Sequence, residues 1–179
     1  GTGFLFVKKA SLQKLKPVLL DFLAAGNVSL SGYTLREDAR RFELYEKSRA
    51  LTLGLGKAVE YAIDIGSDRI WSRIQYLSAL TRKILSEISG VRLHDRGSFL
   101  SGIVTFSLDG IDSATVKIKL AERGINVSVG GQQATPFYME RNELSTVVRA
   151  SVHYYNTKEE IDKLCNELAN IINDCATVH

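Results

Sequence analysis

VVRASVHYYNTKEEID, residues 147–162, changes period halfway along, and that change decides the fold class. Val148, Ala150 and Val152 alternate with Arg149 and Ser151, the period-two pattern of a strand with one apolar face. A helix start follows at once. Thr157 is an N-cap residue with Glu160 three positions later, the spacing of a capping box. Beyond it Ile161, Leu164, Cys165, Leu168, Ile172 and Cys175 recur every three or four residues, which predicts an amphipathic helix. Arg149 is the chemically distinctive member. It is a permanent cation on a strand of small and branched residues, and its guanidinium offers a two-pronged donor for a carboxylate. The plainer reading, a solvated arginine on an open sheet face, stays open at this point.

Working outward, the pattern predicts an α+β fold: a small, mostly antiparallel sheet with helices packed on one face. Leu55, Ala58, Val59, Ala62 and Ile63 form a helical stripe that Gly66 ends. Ser67 reads as the cap of a second helix, with Ile70, Ile74, Leu77, Thr81, Ile84, Leu85 and Ile88 facing the core, Trp71 beside them as a further core residue, and Gly90 as its stop. Residues 91–94 and 102–108 read as strands across a turn. Residues 116–120 alternate like a strand, but Asp112 before them and Gly124 after them favour a helix, which also supplies the crossover to a strand at 125–129. Residues 130–145 read as a loop.

The N-terminal third is less regular. Residues 4–7, FLFV, read as a strand buried on both faces. Ser11 reads as the cap of a helical turn ahead of Pro17, residues 23–32 as a loop, and residues 36–49 as a charged connecting segment of mixed sign. A buried strand so close to Gly1 suggests that something larger precedes it.

Bulk properties narrow the classes. Of the 179 residues 45% are hydrophobic and only two are proline, which argues for a packed domain rather than a disordered chain. The net charge of +3 is scattered, so nothing suggests a nucleic-acid or membrane surface. No apolar run is long enough to span a bilayer. Cys165 and Cys175 would lie about 15 Å apart on one helix, too far for a disulfide. They read as reduced core residues of a cytoplasmic protein, not as metal ligands or nucleophiles.

Five segments carry a resemblance: GTGFLFV, RFELYEKSRALTLGLGKAVEYAIDIG, SGIVTFSL, LAERGINVSVGG and VVRASVHYYNTKEEID. In this order they resemble the C-terminal part of class V aminotransferase-like enzymes, pyridoxal 5'-phosphate enzymes of fold type I that include the cysteine desulfurases. The closest branch by this reading is the isopenicillin N epimerase-like one. The resemblance implies that residues 1–50 are a strand and an arm of the cofactor-binding large domain and dimer interface, and that residues 51–179 are the small domain. It implies an enzyme acting on an amino acid as a homodimer. It places the cofactor-holding lysine a few residues ahead of Gly1; Lys8 and Lys9 do not match it, so this chain by itself is expected to hold no catalytic residue and to be inactive.

Within the chain the resemblance makes Arg149 the ligand of the substrate α-carboxylate, with Gln133 as a second substrate-side candidate. Desulfurases carry a nucleophilic cysteine in this loop, with Gln133 in or next to its place, and an amide cannot replace a thiolate. The additional arginine of desulfurases falls on Ser128. Both departures argue against desulfurase chemistry. The arm whose threonine reaches the partner's cofactor phosphate falls on Phe42, Glu43, Leu44, Tyr45 and Glu46. Because Glu46 would repel a phosphate, Tyr45, Lys47, Ser48 and Arg49 become the candidates for that contact. The alternative is a non-catalytic small domain that serves as an interaction module.

Overall fold

The structure, a computed structural model, describes residues 2–176. Two compact units make up the chain, Gly1–Asp64 and Ile65–His179.

In the first unit a 3₁₀ turn, Lys9–Lys14, precedes an antiparallel hairpin of β1 (Ala25–Ser29) and β2 (Gly32–Leu35). This hairpin replaces the loop expected over 23–32. Its glycine, asparagine and serine residues are turn formers, and they close a two-residue connection between the paired Ser29 and Gly32. Gly32, at φ +143°, takes a conformation that side chains rarely adopt. Ser11 lies inside the 3₁₀ turn, whose cap position is Lys8, so it is not the cap. Residues 4–7 form no strand either. Strand formation needs a neighbour's amides and carbonyls; no described strand pairs with them, and Phe4 and Phe6 are 81% and 79% exposed. A second 3₁₀ turn, Ala39–Phe42, is capped by Asp38, which accepts from the Arg40 amide at 3.1 Å. Helix α1, Arg49–Ile65, follows, six residues longer at its start than its apolar stripe.

The second unit carries the expected α+β architecture. Helix α2 (Ser67–Glu87) leads into β3 (Val91–Leu93) and β4 (Ile103–Leu108), then α3 (Ser113–Glu122), β5 (Ser128–Gly131), α4 (Pro136–Arg141), β6 (Thr146–Ser151) and α5 (Lys158–Ala176). The four strands form one antiparallel sheet in the order β3-β4-β6-β5. Val104, Phe106, Leu108, Val148 and Ala150 all point to one face and are buried against Leu77 and Leu85 of α2, Val116 and Leu120 of α3, and Leu168 and Ile171 of α5. Alternation sends Thr105, Arg149 and Ser128 to the opposite face.

Local chemistry explains the agreements. Asp112 Oδ2 accepts from the Ala114 and Thr115 amides at 2.9 and 3.2 Å, and Gly124 closes α3 at φ +74°, so residues 116–120 are helical as expected. The capping box is present: the Glu160 amide donates to Thr157 Oγ1 at 3.2 Å and the Thr157 amide to Glu160 Oε2 at 3.0 Å.

Four expectations need correction. Ser67 is the first residue of α2 and Gly66 occupies the cap position, with no side-chain bond there. Trp71 is 38% exposed rather than core, because it follows Ile70 by one residue and is turned off the buried stripe. The strand expected at 125–129 begins only at Ser128. The loop expected over 130–145 contains α4, started by Pro136 and too short to show a period.

Candidate functional site

Arg149 lies between two partners on the open sheet face: Thr105 of β4 on one side and Ser128 of β5 on the other. It is exposed, and among the described residues its guanidinium forms no hydrogen bond or ion pair; the Ser128 hydroxyl donates to its backbone carbonyl at 3.5 Å. A strand in the middle of a sheet fixes its backbone on both edges. The cation is therefore held on a rigid element and left uncompensated, which suits it to an external carboxylate.

Next to this row the structure builds a polar network that residue spacing did not reveal. Asp95 accepts both the amide and the hydroxyl of Thr105, and its other oxygen accepts Arg82 Nε at 2.7 Å. Arg82 also donates to the Ser101 and Ile103 carbonyls at 2.9 and 2.7 Å. Both side chains of this ion pair are nearly buried, with 12% and 10% exposure. Arg82 Nη2 and Asp95 Oδ1 make further hydrogen bonds, the kind of support a buried pair needs to be tolerated. His94, buried, donates its amide to the Thr105 carbonyl at 2.9 Å and sets Nε2 2.8 Å from Ser107 Oγ. Burial holds its pKa below the usual histidine value, helped by Arg92 and Arg96 and opposed by Asp95. The Tyr138 hydroxyl donates to the His94 carbonyl and so ties α4 to the end of β3.

Gln133, the second substrate-side candidate, is exposed in the turn between β5 and α4, and no hydrogen bond joins it to Arg149 among the described residues. The arm candidates are engaged locally. Lys47 pairs with Glu43 at 2.9 Å, Ser48 Oγ accepts the Leu51 amide at 3.3 Å at the start of α1, and Tyr45 packs its ring 4.9 Å from Phe22. Arg49 is exposed as the first residue of α1.

Pyridoxal phosphate needs an amine for its carbonyl carbon and several donors for its phosphate. The row around Arg149 contains hydroxyls and a guanidinium but no lysine, and the arm's Lys47 is already neutralised by Glu43. Neither that row nor Lys47 offers a free amine for the cofactor's carbonyl carbon.

The cysteines are remote from this chemistry. Both lie on α5, and burial, with Asp162, pushes the Cys165 thiol up to about 11. A thiol so shifted is almost entirely protonated at neutral pH and is a poor nucleophile.

Comparison with known proteins places the chain. It is 32% identical over 174 residues to a probable cysteine desulfurase of Methanothermobacter thermautotrophicus, covering 96% of this chain and 44% of that one. It is 34% identical to a probable cysteine desulfurase of Halalkalibacterium halodurans, covering 94% and 41%. Its fold matches the apo cysteine desulfurase of Thermococcus onnurineus with a TM-score of 0.83 at 25% identity, over 94% of this chain and 42% of that one. The CsdA cysteine desulfurase of Escherichia coli gives 0.80 at 25% identity. The chain thus spans less than half the length of these relatives. The family profile of aminotransferase class-V matches residues 1–164, and the chain belongs to that family.

Proposed function

We propose that the chain is the C-terminal, substrate-carboxylate-binding part of a pyridoxal-phosphate-dependent enzyme of the aminotransferase, epimerase or lyase kind that acts on an amino acid. The observation that carries this reading is Arg149: an uncompensated guanidinium carried by a central strand on an open sheet face. A bidentate clamp on the α-carboxylate fixes the amino acid by one end and so determines which Cα bond is presented for cleavage. When bound, the cofactor supplies the electron sink. In the complete cytoplasmic enzyme, residues 1–50 would belong to the large domain and to the interface of a homodimer, with Tyr45, Lys47, Ser48 and Arg49 as the arm.

The departures support a choice of branch. The relatives named above are probable cysteine desulfurases, yet by the resemblance Gln133 falls in or next to the place of their nucleophilic cysteine, and the two cysteines of this chain lie on α5. A reaction that needs no protein thiolate, as in the isopenicillin N epimerase-like branch, fits these residues better. A second reading, a non-catalytic domain kept as an interaction module, is favoured by one observation: no amine stands in the row around Arg149.

One experiment separates the two. In the complete protein, Arg149→Ala and Arg149→Lys should lower kcat/KM for amino acids by roughly 10- to 100-fold, chiefly through KM, the loss expected for a charged hydrogen-bonded pair. Substrates lacking the α-carboxylate should be indifferent to the change. An unaltered KM would remove Arg149 from the site, whereas no turnover of any amino acid by the complete protein would leave the interaction module as the better account.

A further inference from the structure

A cleft of about 360 Å³ opens on the sheet face that carries Arg149, walled by Arg82, His94, Asp95, Arg96, Phe99 and Thr105 among others. Thr105 belongs to both places: it lines the cleft and is the cross-strand partner of Arg149. His94 donates its amide to the Thr105 carbonyl and so stands two strand spacings, roughly 10 Å, from Arg149, and Arg96 follows it by two residues.

Charge accounting inside the cleft is one-sided. Arg82 is neutralised by Asp95 at 2.7 Å, and the second Asp95 oxygen is filled by Thr105. That carboxylate has little left to offer an incoming cation. His94 is held toward its neutral form by burial and by Arg92 and Arg96. Arg96 is exposed and forms no hydrogen bond or ion pair among the described residues. What remains is one free guanidinium at the mouth of a cleft, beside the exposed ring of Phe99, which is 77% accessible.

We infer that this cleft is the subsite for a distal carboxylate of the substrate, with Arg96 as its specificity-determining cation, so that the preferred substrate class is dicarboxylic amino acids. The inference rests on the reading of Arg149 as the α-carboxylate ligand. One carboxylate sits on Arg149 and the chain of the substrate crosses the Thr105 row, while the second carboxylate meets Arg96. A monocarboxylate gains only the first of these contacts.

The 179-residue chain can be tested directly by following its arginine Nε–Hε signals by NMR while acetate or glutarate is added at constant ionic strength. Glutarate should bind about tenfold more tightly than acetate, the worth of one further charge-assisted contact, and should shift the signals of both Arg96 and Arg149. Arg96→Gln, at an exposed position, should reduce glutarate to the affinity of acetate while leaving the acetate response of the Arg149 signal unchanged. Arg149→Ala should weaken both ligands. If acetate shifts Arg149 but glutarate binds no better, or if Arg96→Gln leaves the ratio intact, the subsite is wrong and the α-carboxylate reading survives. If neither ligand moves Arg149, that reading fails, and the subsite fails with it.

Discussion

His94 is a polar residue held almost out of water by its surroundings, and that gives it a measurable signature. Its imidazole faces Ser107 Oγ at 2.8 Å, its carbonyl is held by Tyr138, and both burial and the neighbouring arginines disfavour the imidazolium. The folded state therefore prefers neutral His94, while the unfolded chain takes up the proton near the ordinary value of about 6.5. Where the unfolded state binds more protons, stability rises with pH. The contribution of His94 is thus complete above that value and is lost as pH falls toward and through the lowered folded pKa. Thermal unfolding followed between pH 7.5 and 5.5 should show a steeper fall of Tm for the native chain than for His94→Gln; parallel curves would deny the histidine this role. Legibility at this scale depends on sequence distance. Arg149 was visible as a candidate because one cation interrupts a run of branched residues. The Arg82–Asp95 pair was not, since its members are 13 positions apart and belong to different elements that only the fold brings together.

At the scale of elements, the chain packs tightly where β4 begins. Gly102 accepts the Val152 amide at 2.8 Å, and a Cβ added there would lie 2.5 Å from the Val152 carbonyl oxygen and 2.7 Å from Ile74 Cγ2. The first of these atoms is backbone and cannot swing aside. Gly102→Ala should therefore destabilise the chain by about 1–3 kcal/mol, the usual cost of overpacking, seen as a lower midpoint in urea with an unchanged slope. Gly130→Ala, whose Cβ would meet only Val147 Cγ2 at an ordinary 3.5 Å, serves as the control and should cost clearly less. Elements with strong local chemistry were readable beforehand. The box of Thr157 and Glu160 and the Asp112 cap announce α5 and α3 because the bonds they make are local. Helix α4 was hidden because six residues give no period, and the β1–β2 hairpin because its residues are the same ones that make irregular loops. The strand expected at residues 4–7 fails for the opposite reason. Its composition suits a buried strand, but pairing is a property of two segments and cannot be read from one.

Over the whole molecule, the distribution of apolar surface is uneven between the units considered separately. The second unit has a continuous core, with Leu77, Leu85, Phe106, Leu120, Leu168 and Ile171 fully buried. In the first unit the buried set is Leu12, Ala24 and Arg41, while Phe4, Phe6, Val18, Leu19 and Phe22 are all more than 60% exposed. Helix α1 has an apolar stripe and no buried residue. Monomeric soluble proteins rarely leave patches of this kind uncovered, and a net charge of +3 supplies little mutual repulsion to keep copies apart. The chain should accordingly self-associate: light scattering across a concentration series should give a mass that climbs above 19.8 kDa. Replacing Phe4 and Phe6 together by serine should reduce the climb without lowering the unfolding midpoint, because neither ring contributes to a core. Salt gives the complementary control, since association driven by apolar burial persists at high ionic strength whereas association through charge is screened. A constant mass of one chain at every concentration would mean that these residues find cover within the monomer.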